Sequence, residues 1–343
     1  MSQAELMSSN PTSKHHLNPN FFDLSAFVLP PANRSLTESV FSMNWLHSHQ
    51  VIIQGITDYQ AAFYALQMKA YGTDIVAGIS PGKGGTAIEG IPVFDLIEQA
   101  QAQIGEVGIS LIFVDADRVL DAAKEAIAAG IRKIIIFTPR VPPQDTIELI
   151  KQARLTDTLI IGPGSHGIVI PQQVWLGNLQ PEFYQPGSVG IITSSRHLCY
   201  EVAAELNRAE LGQSTVVSLG SDRLIGSDLS YWLATLNEDP RTKAIVAIGQ
   251  RVNQIESIVA YSKTHGYDKP VILYLAGLKA PQVKLYGDAL TIITNHLSGS
   301  IPVVNRDRQT TEQLRDIGIK IASKPSEIPG IVKAALATVN SNQ

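Results

Sequence analysis

Cysteine is almost missing from this chain: there is one, Cys199, in 343 residues. A disulfide within the chain needs two, and a zinc cluster built on thiolates needs more, so both are excluded. Positive charge is not in excess either. Lys and Arg number 27 against 31 acids, a formal net charge of -4, which leaves no basic footprint for nucleic acid. No apolar run approaches the ~20 residues of a membrane-spanning helix. The first residues, MSQAELMSSNPTSKHH, lack the basic-then-apolar order of a secretory signal. The expectation is a cytoplasmic protein that meets neither membrane nor nucleic acid. Charged residues make up only 17% and hydrophobic ones 44%, a balance suited to well-buried sheets.

The length suits two domains with a remainder. The remainder is residues 1–44, rich in Ser, Asn, Pro and His around one apolar island, FFDLSAFVL (21–29). It reads as a flexible extension whose island lies on the protein's own surface, or as a docking segment for a partner. From residue 50 apolar runs alternate with helical patterns. Strands are expected at 50–56, 74–80, 109–115, 133–139 and 158–167, and helices at 58–72, 93–105, 118–130 and 147–154. A second alternation follows residues 181–188. Strands are expected at 188–195, 214–221, 244–250 and 270–277, with helices at 196–212, 228–240, 253–266, 311–318 and 326–339. Strand–helix alternation implies parallel sheets. The expected fold is therefore α/β, with two doubly wound domains joined near 165–187. Ligands of such sheets sit beyond the carboxyl ends of the strands.

Two loops at those ends suit an anion. The first strand leads into GITDYQAA (55–62), with Gly55 at its start but not the G-x-G-x-x-G of a dinucleotide site. The helix start still offers free N–H groups, with Thr57 and Gln60 as side-chain donors. Asp58 would repel a phosphate unless it serves as the N-cap. The second loop, SPGKGGT (80–86), is not a P-loop. Its glycines let the backbone approach an anion beside Lys83; otherwise it is a tight turn with an exposed lysine. The HSH triplet at 47–49 has no third ligand at metal-binding spacing.

AYGTDIVAGISPGKGGTAIEGIPVFD (70–95) resembles the CoA-binding domain of the succinyl-CoA synthetase alpha subunit. That subunit belongs to the nucleoside-diphosphate-forming acyl-CoA synthetases, with ATP-citrate lyase. The likeness runs over most of 45–340 and includes IGPGSHGIVIP (161–171), CYEVAAEL (199–206), GQSTVVSLGSD (212–222) and KPVILYLAGLKAP (269–281). It implies an α/β fold with a Rossmann-like CoA-binding domain over 45–170 and a flavodoxin-like doubly wound domain over 185–340, and coenzyme A as ligand. The family's G-x-T-G-x-Q turn corresponds to Gly55, Thr57 and Gln60, with Asp58 in place of a Gly. Pro81 and Lys83 match the PGKGG loop. The I-T-E-G-I-P strand end is FTPRVP here, so Thr138 is kept while Pro139 and Arg140 replace Glu and Gly.

The second half departs further from that pattern. The family's K-x-x-G-H-A-G motif carries a phosphohistidine, and KLYGDAL (284–290) sets Asp288 at the histidine position. The phosphate cradle S-R-S-G-T-L reads TSSRHL: Ser195 remains, while Arg196 and His197 replace Gly and Thr. Gln250 stands where a Glu orients the histidine, and Tyr200 is retained. A carboxylate can form an acyl phosphate, but a bulky cation at 196 stands where amides should reach a phosphate. His197 reads as a relocated acceptor or as an ordinary helix-start histidine. His166 is placed near the CoA thiol by the resemblance, with a possible acid–base role. These changes imply a CoA-binding, nucleotide-binding-fold pseudoenzyme. Asp288 would pair with Arg196 or His197 as a permanent anion. Such a chain would act as a regulatory or structural partner of an ATP-grasp beta-type subunit, or self-associate. The alternatives are an active acyl-CoA ligase or acyl/carbamoyl-transferring subunit, and a sensor of CoA or acyl-CoA.

Overall fold

A computed structural model describes residues 50–249, 262, 266–276 and 314–341. The first sheet contains β1 (Val51–Gln54), β2 (Ile75–Ile79), β3 (Ala87–Ile88), β4 (Ile91–Phe94), β5 (Ile109–Ile112), β6 (Lys133–Ile136) and β7 (Leu159–Ile161). Their order is β3-β4-β2-β1-β5-β6-β7. All pairs are parallel except β3 with β4. Crossovers run through α1 (Tyr59–Tyr71), α2 (Ile97–Ile104), α3 (Val119–Ala128) and α4 (Pro143–Leu155). The strands are near-continuous runs of Ile, Val and Leu because helices cover both faces. The helix expected at 93–105 is shorter than the sequence suggests. Val93 and Phe94 are buried and pair with Gly78 and Ile79 of β2, and α2 starts only at Ile97. Pro92, exposed in the strand, lacks the amide a helix interior needs.

The second sheet contains β8 (Gly167–Ile170), β9 (Val174–Gly177), β10 (Pro186–Thr193), β11 (Gln213–Ser218), β12 (Ala244–Gly249), β13 (Val271–Leu275) and β14 (Lys320–Ala322). Its order is β14-β13-β12-β10-β11-β8-β9. The pairs are parallel except for the β8–β9 hairpin and its junction with β11. Its described helices are α5 (Arg196–Arg208), α6 (Leu229–Glu238) and α7 (Ile328–Ser341). The β8–β9 hairpin and β14 were not expected. Every residue of the hairpin strands is buried, so no polar alternation announces them. The helix expected at 253–266 and the extension 1–44 lie outside the described residues or nearly so. Of the helix expected at 311–318, residues 314–316 are described and helical.

The two sheets share one core. On α1, Ala61, Ala65 and Met68 are buried in the same cluster as Trp175 and Leu176 of β9 and the strands of the second sheet. The Gly177 amide donates to Met68 Sδ at 3.0 Å, and Tyr71 meets Trp175 edge-on at 5.8 Å. The Thr73 hydroxyl donates to the Trp175 carbonyl at 2.6 Å. The other face of the first sheet packs separately on α2, α3 and α4. Between the sheets, the turn after β7 is laced to both. The Gly164 and Ser165 amides donate to Thr138 and Ile136, while the Gly162 amide donates to Leu219 and the Ser221 amide to Gly164.

Candidate functional site

The first sheet reverses its order at β1, which lies between β2 and β5. A crevice opens beyond the strand ends at such a point. Gly55 leaves β1 with φ of 83°, and a Cβ there would stand 3.0 Å from the Val114 nitrogen. The turn therefore needs a glycine. Asp58 then caps α1: its Oδ1 accepts from the amides of Gln60 at 2.8 Å and Ala61 at 3.2 Å. Of the two readings of this acid, the cap is the one the structure adopts. The Thr57 and Ser80 hydroxyl oxygens lie 2.9 Å apart and join the loops after β1 and β2. The Gln60 side chain is exposed on the first turn.

The loop 80–86 is held from behind. The Gly84 amide donates to Asp95 Oδ1 at 2.8 Å, and a Cβ on Gly84 would come within 2.6 Å of Asp95 Oδ2. The Thr86 hydroxyl donates to the Lys83 carbonyl at 2.7 Å. Pro81 and Lys83 face solvent. Nothing among the described residues pairs with the Lys83 ammonium.

The third loop follows β6. Thr138 Oγ1 donates to the Val114 carbonyl at 2.5 Å, so this hydroxyl is already engaged across the crevice. Arg140 takes φ of 61°, the left-handed region where a side chain costs energy and glycine does not. The backbone thus keeps the conformation that suits the glycine of the resembled motif, although the side chain has changed. The Arg140 and Val141 amides donate to the two oxygens of Asp222, at 2.9 and 3.0 Å. Asp222 comes from the loop after β11, so the second sheet fixes this loop of the first. The Arg140 side chain itself is exposed.

The second sheet reverses its order at β10, between β12 and β11, and α5 begins there. Thr193 Oγ1 accepts the Ser195 amide and donates to the Ser195 carbonyl, both at 2.9 Å. Ser195 is the N-cap residue, but its own side chain makes no capping bond. His166, half-buried on the turn before β8, approaches this helix start. Burial lowers its pKa, and the nearby Arg196 and His197 lower it further against the Asn178 hydrogen bond. The Tyr200 hydroxyl accepts the Gln180 amide at 3.1 Å, and its ring stacks on Phe183 at 4.5 Å. Burial raises the Tyr200 pKa, with the Gln180 bond and Arg196 acting the other way. The structure thus gathers His166, Ser195, Arg196, His197 and Tyr200 at one junction. Gln250 and Asp288 lie outside the described residues.

Asn178 and Asp222 were missed as working residues. Asp222 stands in the GSD turn after β11, and the acid following that glycine was a usable signal. Asn178 had none, because the hairpin that presents it was not foreseen. Among the described residues no group of His, Cys, Asp and Glu could hold a metal. None of their helices is long and apolar enough to cross a membrane.

Comparison with known proteins agrees with this layout. Residues 47–140 match the CoA binding domain family, and residues 186–291 match the succinyl-CoA ligase like flavodoxin domain family. The chain is 36% identical over 287 residues to succinate–CoA ligase [ADP-forming] subunit alpha 2 of Archaeoglobus fulgidus, covering 84% of this chain and 97% of that one. It is 34% identical over 293 residues to the alpha subunit of Aquifex aeolicus, covering 84% and 93%. ATP citrate lyase of Methanosaeta concilii, solved with (3S)-citryl-CoA, superposes with a TM-score of 0.72 at 18% identity. That match covers 88% of this chain and 52% of the lyase, so the chain spans about half of that structure, and the likeness is one of fold. With both halves matched in order and the relatives covered almost end to end, the chain belongs to the succinate–CoA ligase alpha-subunit family.

Proposed function

We propose that this chain binds coenzyme A at the carboxyl edge of its first sheet and works as an alpha-type subunit without phosphohistidine chemistry. The observation behind the binding half is Lys83. Its ammonium has no partner among the described residues and stands on a glycine loop that Asp95 holds from behind, inside the segment that matches the CoA binding domain family. An exposed cation on a pre-formed loop can meet a phosphate without the loop backbone having to rearrange. On this reading residues 45–170 form the CoA-binding half, 185–340 the ligase-like half and 1–44 an appended segment.

The second half of the proposal rests on sequence. Asp288 stands where the resembled motif has its histidine, Gln250 where it has the orienting glutamate, and Arg196 and His197 where it has Gly and Thr. Arg196 opens α5, the place where a phosphate would need bare amides. A chain altered in this way serves an ATP-grasp beta-type partner as a regulatory or structural subunit.

Calorimetric titration with CoA tests the first half. Wild type binds, and Lys83→Ala binds at least about ten-fold more weakly, the loss of one charge-assisted contact. Equal affinity in the two proteins would remove Lys83 from the site. For the second half, the chain is mixed with a beta-type subunit, nucleotide, succinate and CoA. Turnover that forms succinyl-CoA would overturn the proposed loss of ligase activity.

A further inference from the structure

Arg140 stands where the backbone favours glycine. Its φ of 61° lies in the left-handed region, which burdens a residue with a Cβ and not a glycine. No contact of the side chain offsets that burden. The guanidinium is exposed and has no partner among the described residues. The neighbouring acid, Asp222, spends its two oxygens on the Arg140 and Val141 backbone amides. The loop is also pinned from its other end, since Thr138 Oγ1 donates to the Val114 carbonyl and the Thr138 carbonyl accepts the Gly164 amide at 3.0 Å. A free cation is thus held on a fixed loop, as Lys83 is. The two flank the switch point. Along the order β2-β1-β5-β6, with ~4.8 Å between neighbouring strands, the ends of β2 and β6 stand about 14 Å apart. Lys83 comes four residues after Ile79, the last of β2, and Arg140 four after Ile136, the last of β6.

We infer that Arg140 is the second phosphate-binding residue of the CoA site: with Lys83 it holds two different phosphate groups of the ligand from opposite sides of the crevice. The inference rests on the CoA reading above. CoA carries phosphate in two places, the diphosphate that joins its two arms and the 3′-phosphate on its ribose. One cation serves only one of them. Two long cationic side chains reaching in from either side of such a gap serve both. A guanidinium suits this task, because its planar fork meets a phosphate with two parallel hydrogen bonds. Asn at this position tolerates the left-handed backbone and removes the charge. Gly fits the backbone and removes the whole side chain.

The test is calorimetric titration of wild type, Lys83→Ala, Arg140→Asn and Arg140→Gly. Two ligands are used: CoA, and dephospho-CoA, which lacks only the 3′-phosphate. The expected result is CoA bound roughly ten-fold more weakly by all three variants, the loss of one charge-assisted contact in each. With dephospho-CoA the loss persists at one of the two positions and vanishes at the other, because only one of the two contacts is still available. Thermal melts check folding, and Arg140→Gly should melt with wild type or above it. CoA affinity unchanged in both Arg140 variants, while Lys83→Ala binds more weakly, overturns the inference and leaves the CoA site in place. Tighter CoA binding without the guanidinium overturns it as well, because Arg140 would then obstruct the crevice. So does a loss in Arg140→Gly that Arg140→Asn does not share, which would report a loosened loop. A loss with dephospho-CoA at both positions, or at neither, puts Lys83 and Arg140 on one phosphate and overturns the two-sided grip. Absence of CoA binding by wild type overturns the CoA reading itself, and this inference with it.

Discussion

The Nδ1 of His166 lies 2.8 Å from Asn178 Oδ1, across the base of the β8–β9 hairpin. An amide oxygen only accepts, so Nδ1 carries the proton and neutral His166 leaves Nε2 as the acceptor. Burial, with Arg196 and His197 beside it, lowers the pKa. In the unfolded chain the ring titrates near its ordinary value of about 6.5. Between the lowered folded pKa and that value, the unfolded chain holds more protons than the native one. Stability therefore rises with pH through that window. The His166 contribution is full above about pH 6.5 and is lost as pH falls toward the folded pKa. Urea unfolding at a series of pH values should show a slope between neutral and acid pH that flattens in His166→Gln. An unchanged slope would remove His166 as its source.

Asp222 holds two amides of the 139–141 loop from the other sheet. Asp222→Ala strands both donors and should cost about 1–3 kcal/mol in chemical denaturation. Arg140→Gly should act in the opposite direction. It relieves a left-handed residue with φ of 61° and should leave stability level or raise it by up to about 1 kcal/mol. A destabilised Arg140→Gly would mean that the guanidinium makes a contact more valuable than the strain it imposes.

Cys199 is fully buried, and its thiol is pushed up to about 12 by burial, against the opposing hydrogen bond from Tyr184. The thiolate is the reactive species. A disulfide reagent at pH 8 should therefore find no reactive thiol in the native protein and one after denaturation. Fast native labelling would show that the core around α5 opens readily.

The Asp239 carboxylate is a hub at the end of α6. Its Oδ1 accepts from Arg241 Nε at 3.0 Å and its Oδ2 from Thr242 Oγ1 at 2.9 Å. Thr242 in turn lies 2.7 Å from Ser214 of β11. Asp239→Ala leaves the Arg241 charge and the Thr242 hydroxyl without this acceptor. About 2 kcal/mol of stability should be lost, less than for a fully enclosed pair because Arg241 is partly open to solvent. A shift in urea midpoint at constant slope would measure it.

The parallel strands could be read directly from the sequence, because burial on both faces turns each into an uninterrupted apolar run ended by a glycine or a polar turn. The Asp58 cap was legible for a similar reason, an acid standing immediately before a helical pattern. What stayed hidden depends on distance along the chain. Asp222 reaches Arg140 over 82 residues, and no local pattern encodes such a contact. The pairing of His166 with Asn178 needed the hairpin, whose strands carry no polar alternation. β4 was absorbed into the helix that follows it, since Val93 and Phe94 fit an apolar helix face as well as a buried strand. The site was readable where backbone conformation demands glycine, at Gly55 and in the 80–86 loop. It was unreadable where two sheets supply one contact.

The packing of α1 against β9 also bears on synthesis. The Ala61, Ala65 and Met68 face is completed by Trp175 and Leu176, residues made about a hundred positions later. At a ribosomal rate of roughly 5–20 residues per second, that face waits about 5–20 seconds for its cover. A nascent chain stopped before residue 167 would present it to solvent. Completion of the first sheet's α1 face is thus timed by the arrival of a hairpin that belongs to its neighbour.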